Sequence, residues 1–366
     1  MKFLIFTCST GGGHHSTAAA IAEYLTAQGH SCITKDCLDF LSPVKAGLIR
    51  EGHIFLYRYA PKLFGMGYRR EEAHTPNLIL RQCDTCAEAF CRFVREAGCD
   101  AMINVHVFPA LMMTAAKQRL GLNLPGYFVA TDFTCSPGVG ETQQDAYFIP
   151  HQDLIPEFVC KGLPQDRIIP SGIPVQSKFC NSMPKIIARQ SLGLPEENPL
   201  VLLTCGSMGA GPMKKLAQLL DRQLPPEAHL LVLCATNQKL KKQLGRLRLS
   251  SRIHVEGFVP DMSICLDAAD LILTKAGGLA TTEALMKRLP LVYIDAVPGC
   301  ETHNRAFLTA HGCAFTADTP HELAAMVSTL IQDPIRLERL RSTMCREFPT
   351  PAAEILYHHL KSVHHL

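Results

Sequence analysis

The chain has 366 residues, 47% of them hydrophobic and 19% charged, too long for one ordinary domain and able to bury two cores. A formal net charge of +3, with no long block of like charges, argues against a nucleic-acid partner. Sixteen cysteines are scattered from Cys8 to Cys345, several inside apolar runs (Cys8, Cys205, Cys234), a pattern of small buried hydrophobes in a reduced compartment rather than a disulfide framework. The one C-x-x-C, Cys83 to Cys86 with Cys91 following, has no second ligand pair nearby, so buried helix positions are its simpler account and no metal site is assigned. Lys2 precedes only a short apolar run to Cys8, which does not read as a signal peptide. No stretch reaches the ~18 apolar residues that span a bilayer. The expected location is the cytoplasm, peripheral on the inner face of the membrane.

The chain opens as strand, glycine turn and helix: Phe3 to Phe6, then Gly11-Gly12-Gly13, then Ser16 to Gln28, with Ser16 or Thr17 as cap and Gly29 as stop. Between Pro43 and Arg81, Phe55, Tyr57, Tyr59, Phe64 and Tyr68 alternate with Lys45, Arg50, Arg58, Lys62, Arg69 and Arg70. Such interleaving suits the surface of an anionic bilayer, and equally an ordinary helical excursion packed on the first domain. Strands are expected at Ala101 to Val105, Gly126 to Thr131 and Ala146 to Ile149. After a Pro-rich seam near 170–185 the pattern restarts, with strands at Leu200 to Thr204, Leu230 to Cys234, Ile253 to Val255, Leu271 to Thr274 and Leu291 to Ile294. Pro349 and Pro351 precede a last helix from Ala352 to His364. Short apolar strands alternating with helices predict α/β architecture with parallel sheets, here two Rossmann-like domains facing an interdomain cleft. Open sheets of this kind bind ligands at the carboxyl ends of their strands.

Glycine-containing turns that follow a strand and open a helix let the backbone approach an anion closely. Gly206 to Gly211 and Lys275-Ala276-Gly277-Gly278 are two such turns in the second half, so a diphosphate is expected there. A complete P-loop, a G-x-G-x-x-G at the first turn and a D-x-D are all absent, which argues against ATP, NAD and a carboxylate-held metal. The diphosphate would then be neutralised by helix N-termini and side chains. Glu283, one to two turns into the helix that starts near Leu279, can accept both hydroxyls of a ribose. Glu301 and Asn304, at another loop-to-helix start, can hold sugar hydroxyls, although helix capping by Glu301 and Thr302 is also consistent. Phe258, after the Ile253 to Val255 strand, and Thr282 join the expected ligand contacts of the second half. At the first turn, Gly12 and Gly13 precede His14 and His15, and an imidazole there can take a proton from an alcohol. Asp132 is a second candidate, as a base or to orient a histidine.

Several segments in series resemble the monogalactosyldiacylglycerol synthase family, which includes the bacterial processive diacylglycerol glucosyltransferases. They are Thr10-Gly11-Gly12-Gly13-His14, Thr131-Asp132-Phe133, Ser171-Gly172-Ile173-Pro174, Gly206-Ser207-Met208-Gly209, Thr274 to Gly278 with Thr282-Glu283, and Pro298 to Asn304. The resemblance implies a GT-B fold, with an acceptor domain over residues 1–172, a UDP-sugar domain over 173–348, and helix 352–366 packed back onto the first. It implies transfer of glucose or galactose from a UDP-sugar to diacylglycerol with inversion, no metal and no further cofactor. His14 would be the base, assisted by Asp132. Ser207, Gly209 and Ala210 would lie by the diphosphate, Glu283 by the ribose, and Glu301 and Asn304 by the transferred sugar. The family often places a Trp or other bulky aromatic after the Asp132 element, where this chain has Ser136-Pro137-Gly138-Val139-Gly140. A UDP-sugar epimerase and a non-catalytic nucleotide or lipid sensor are the rival readings.

Overall fold

A computed structural model of the chain describes residues 1–73, 77–206, 211–294, 296–349 and 351–365, without the side chains of 53, 54, 57–59, 61, 62, 73 and 77–84. The chain divides into two compact units. One comprises residues 1–177, 297–303 and the C-terminal helix Ala352–His364; the other comprises 178–296 and 304–349.

The first unit is a six-stranded parallel sheet of β1 (Lys2–Thr7), β2 (Ser31–Asp36), β3 (Ala101–Asn104), β4 (Gly126–Val129), β5 (Ala146–Ile149) and β6 (Ile168–Pro170), in the order β2-β1-β3-β4-β5-β6. Strand β2 carries no apolar run (Ser31-Cys32-Ile33-Thr34-Lys35-Asp36) and lies at the sheet edge, which is why periodicity alone does not reveal it. The alternation of side chains along β1 builds the core on both faces. Leu4, Phe6 and Cys8 pack with Phe90 and Val94 of α4 (Asn77–Ala97) and with Leu111 and Met112 of α5 (Val107–Leu120). Phe3 and Ile5 face the other way, onto Ala18, Ile21 and Leu25 of α1 (Gly12–Ala27) and onto Leu356 and Leu360 of the C-terminal helix. Each of these large side chains is fully buried, worth about 1.5–3 kcal/mol. Cys86 and Cys91 are buried positions of α4, the plain helix reading of that segment, while the Cys83 side chain lies outside the described residues. The excursion between β2 and β3 also contains α2 (Pro43–Tyr59) and α3 (Pro61–Ala73).

The second unit repeats the plan with β7 (Leu200–Thr204), β8 (His229–Leu233), β9 (Ile253–Glu256), β10 (Leu271–Thr274), β11 (Leu291–Tyr293) and β12 (Ala314–Thr316), in the order β12-β11-β10-β7-β8-β9. Val201 and Leu203 pack with Leu216 and Leu220 of helix Met213–Gln223 and with Leu323 and Val327 of helix Pro320–Ile331. A Thr319–Glu322 capping box fixes where the latter helix begins. Among the described residues, no helix is long and apolar enough to cross a membrane.

Candidate active site

In a doubly wound sheet, the carboxyl edge opens where successive connections depart to opposite sides. The first unit has that point between β1 and β3, because β2 lies on one side and β4 to β6 on the other. Helix α1 starts at Gly12, four residues ahead of the expected Ser16, with Gly11 as its N-cap and no side-chain cap. Gly12 and Gly13 are therefore the first turn of the helix rather than a loop before it, and Ser16 instead donates to the Gly12 carbonyl at 3.2 Å. Gly29, at φ 84, ends the helix as expected.

That early start places His14 against the end of β3. Its Nδ1 lies 3.1 Å from the Val105 carbonyl oxygen and 3.2 Å from Thr131 Oγ1. A carbonyl oxygen only accepts, so Nδ1 carries the proton and Nε2 keeps the basic lone pair. The ring packs edge-on against His106, with centroids 4.6 Å apart. His106 is itself fixed as the N-cap of α5, its Nδ1 accepting the Phe108 N–H at 3.1 Å.

His15 is exposed and engages a different partner. Its Nε2 is 2.8 Å from Ser9 Oγ, and Ser9 donates its hydroxyl proton to Asp36, at the end of β2. The serine has no second proton, so His15 donates through Nε2. Thr131, next to Asp132, is the residue at the His14 Nδ1, whereas Asp132 meets the thiol of Cys300. Cys300 also contacts Tyr68 Oη at 3.2 Å and Ser136 Oγ at 4.0 Å. Burial first, then the charge of Asp132, pushes the Cys300 thiol well up. Burial likewise raises the Tyr68 hydroxyl. His303 and Glu72 pair at 2.9 Å in the same unit. Glu301 is buried and accepts the Val297 N–H at 3.0 Å, which ties the preceding loop to helix Cys300–Ala310.

The second unit has its switch point between β7 and β10. Gly206 follows β7 at φ 67, and a Cβ there would lie 3.1 Å from Lys275 Cε. The stem of Lys275 therefore runs over the turn, bringing an ammonium to the edge expected to receive a diphosphate. Ser207, Gly209 and Ala210 lie outside the described residues. Gly277 is the N-cap of helix Gly278–Met286, and open space surrounds the position a Cβ would take. Asn304 is fully buried and donates to the Ala276 carbonyl at 2.9 Å, bracing the same turn from behind. Thr282, also buried, returns its hydroxyl to the Gly278 carbonyl at 2.9 Å. Burial pushes the carboxyl of Glu283 up to about 8, with Lys178 opposing the shift. Phe258, after β9, leaves 68% of its surface exposed.

Sequence reasoning missed the Val105 carbonyl, His106, Ser9 and Asp36 as neighbours of the site. It quoted Thr131, Lys275 and Cys300 within motifs without assigning them a role. Those motifs were the available signal for these three; Val105, His106 and Asp36 are brought in from the ends of other strands.

Two family models divide the chain between them. The monogalactosyldiacylglycerol synthase model matches residues 14–175, and the glycosyltransferase family 28 C-terminal domain matches residues 200–350. The chain is 24% identical over 356 residues to the processive diacylglycerol beta-glucosyltransferase of Staphylococcus carnosus, covering 94% of this chain and 88% of that protein. It is 28% identical over 342 residues to the chloroplastic monogalactosyldiacylglycerol synthase of Spinacia oleracea, covering 89% and 65%. In fold it is similar to MurG of Acinetobacter baumannii, with a TM-score of 0.63 at 15% identity over 97% of both chains. It is also similar to Anabaena Alr3699/HepE in complex with UDP-glucose, with a TM-score of 0.57 at 16% identity over the whole of both. Parallel sheets with glycine turns at both switch points, joined to these matches, make the chain a glycosyltransferase of GT-B fold, similar to the monogalactosyldiacylglycerol synthases and the processive diacylglycerol glucosyltransferases.

Proposed function

We propose that this protein transfers glucose or galactose from a UDP-sugar to diacylglycerol, with inversion at the anomeric carbon and without a metal at the diphosphate. The observation that carries the reading is His14, locked by its Nδ1 on the Val105 carbonyl so that Nε2 holds a lone pair at the switch point of the first sheet. A base so fixed takes the proton of an attacking hydroxyl, and a single displacement inverts the sugar. Asp132 supports the acceptor end from the same unit, and Gly12, Gly13 and His15 flank it.

The donor belongs to the second unit. Lys275 and the N–H groups that open helix Gly278–Met286 favour the leaving diphosphate, and Glu283 takes the ribose hydroxyls. Asn304 holds the turn at which the transferred sugar would sit, and Glu301 is proposed as a further sugar contact. The exposed ring of Phe258 offers the uracil an apolar surface. The UDP-glucose bound to the HepE neighbour and the names of the sequence relatives support this choice of donor and acceptor.

An anionic membrane face fits the first unit. Val44, Leu48 and Phe55 lie on one stripe of α2, and Val44 and Leu48 leave 82% and 74% of their surface to solvent. Leu63 and Met66 of α3 add to the exposed apolar set, with Lys45, Arg69 and Arg70 exposed nearby. This supports a peripheral enzyme on the inner membrane face.

The test is transfer of label from UDP-glucose and from UDP-galactose into diacylglycerol liposomes, with a no-lipid control. Labelled lipid is the expected result and names the donor. Donor isomerisation without lipid product would replace the transferase with an epimerase, and UDP binding without turnover would leave a sensor.

A further inference from the structure

Strands β1 and β2 pair in parallel up to Thr7 opposite Asp36, so the next residue on each strand is a cysteine, Cys8 beside Cys37. Both are thiols and both are buried. A sulfur from each and a carboxylate oxygen of Asp36 lie within 4.8 Å of one another. The Asp36 side chain is 13% exposed, which leaves a way in from solvent. Its carboxylate accepts from Ser9 Oγ, from the Ser9 N–H at 3.4 Å and from the Leu38 N–H at 3.0 Å, and faces the Arg50 guanidinium at 3.7 Å, so a cation would take the position of that long Arg50 contact. On the far side of Cys8 stands the imidazole of His106, whose Nε2 is 3.5 Å from Thr10 Oγ1.

This pair differs from the other buried cysteines. Cys234 and Cys265 are buried among apolar side chains, whereas the Cys8 sulfur meets the Cys37 thiol and lies by the His106 imidazole. Two sulfurs and a carboxylate form a mixed soft and hard donor set suited to a borderline cation.

We propose that Cys8, Cys37 and Asp36 form a binding site for one thiophilic divalent cation of the zinc class, its fourth position filled by His106 or water. Bonds of ~2.0–2.3 Å in a tetrahedron place ligand atoms ~3.5–3.8 Å apart. The three donors reach that spacing with a contraction of at most about 1.3 Å. Binding replaces the thiol protons, which leave to solvent, so affinity rises with pH. The ion ties the end of β1 to the end of β2 beneath the Ser9–His15 contact. It lies between the ends of β1 and β2, beside the His106 ring that packs on His14.

The test uses the full-length protein, reduced and stripped with chelator, then titrated with Co²⁺ as the probe and back-titrated with Zn²⁺. Saturable thiolate-to-cobalt charge transfer at one equivalent is expected, displaced by zinc. Cys8→Ser and Cys37→Ser should each weaken binding by more than the roughly 10–100-fold that loss of a second-shell partner brings. X-ray absorption of the zinc-loaded wild type should show two sulfur ligands, a readout that does not depend on how the variants fold. An unsaturable cobalt signal, full affinity in Cys8→Ser, or any sulfur count other than two overturns the site.

Discussion

The two switch points are built alike and furnished differently. At β1/β3 the edge is crowded with side chains that handle protons: His14 on the Val105 carbonyl, His106 against it, and His15 on Ser9 and Asp36. At β7/β10 the edge offers backbone, one ammonium and one raised carboxyl, from Gly206, Gly277, Lys275 and Glu283. One architecture thus makes an end suited to activating an alcohol and an end suited to receiving an anion and a diol. Removing a side chain should cripple the first end, and adding one should cripple the second.

His14→Ala is the largest expected effect. Transfer to lipid should fall by about 10²–10⁴-fold, the worth of a positioned base, while UDP affinity measured by calorimetry stays the same. A matching loss of UDP affinity would erase the division of labour between the two edges. Gly206→Ala comes next. It places a Cβ at φ 67 and 3.1 Å from Lys275 Cε, costing about 1–2 kcal/mol from the left-handed backbone alone. Donor KM should rise about tenfold or more if the displaced lysine serves the diphosphate; an unchanged KM with a lowered melting temperature would make that turn purely structural.

Glu283→Gln sharpens the donor end through pH. Ribose hydroxyls donate to the ionised carboxylate, so the wild type must shed a proton to bind donor below about pH 8. Its UDP affinity should climb as pH rises from 6 to 8, by up to about tenfold per unit, and then level off, whereas the variant stays flat. The same raised value has a stability consequence of known sign. The unfolded chain loses this proton near its ordinary value of 4.5 and the folded chain keeps it to about 8, so this group's contribution to stability falls between those values. Glu283→Gln should therefore melt higher than wild type at pH 8 and show little difference at pH 4.5. Thr131→Val is the smallest change. Loss of the hydroxyl 3.2 Å from His14 Nδ1 should lower kcat by about two- to fivefold, equivalent to ~0.5–1 kcal/mol, with KM unchanged.

Much of the fold was legible because burial leaves a mark in sequence. The apolar runs of β1, β7 and β10 are parallel strands covered on both faces, and the glycines after them announce the βα turns. Strand β2 was not legible, since an edge strand need not be apolar. The start of α1 was misplaced because Gly11-Gly12-Gly13 reads as a turn, while in the fold glycines supply the N-cap and first helical turn. At the site, His14 could be picked from its place after the glycines. What fixes its tautomer could not: Val105 lies 91 residues away, and only the β1–β3 pairing brings the two together. Asp36, 27 residues from Ser9, is hidden for the same reason. For Glu301, local spacing left a ligand contact and a cap equally open, and the Val297 N–H occupies one of its oxygens.

The C-terminal helix Ala352–His364 also bears on how the chain is made. Leu356 and Leu360 complete the cluster around Phe3, Ile5 and Tyr127, and Tyr127 Oη meets His364 at 2.8 Å. The ribosome delivers the first residues of that cluster roughly 20–70 s before the last, at ~5–20 residues per second. During that interval α1 is the one described helix on that face of the first sheet, which leaves it half covered, while the second unit can close its own core from residues already emerged. The amino-terminal half is therefore the late folder, and a nascent chain arrested before residue 352 should bind chaperones through its beginning rather than its middle.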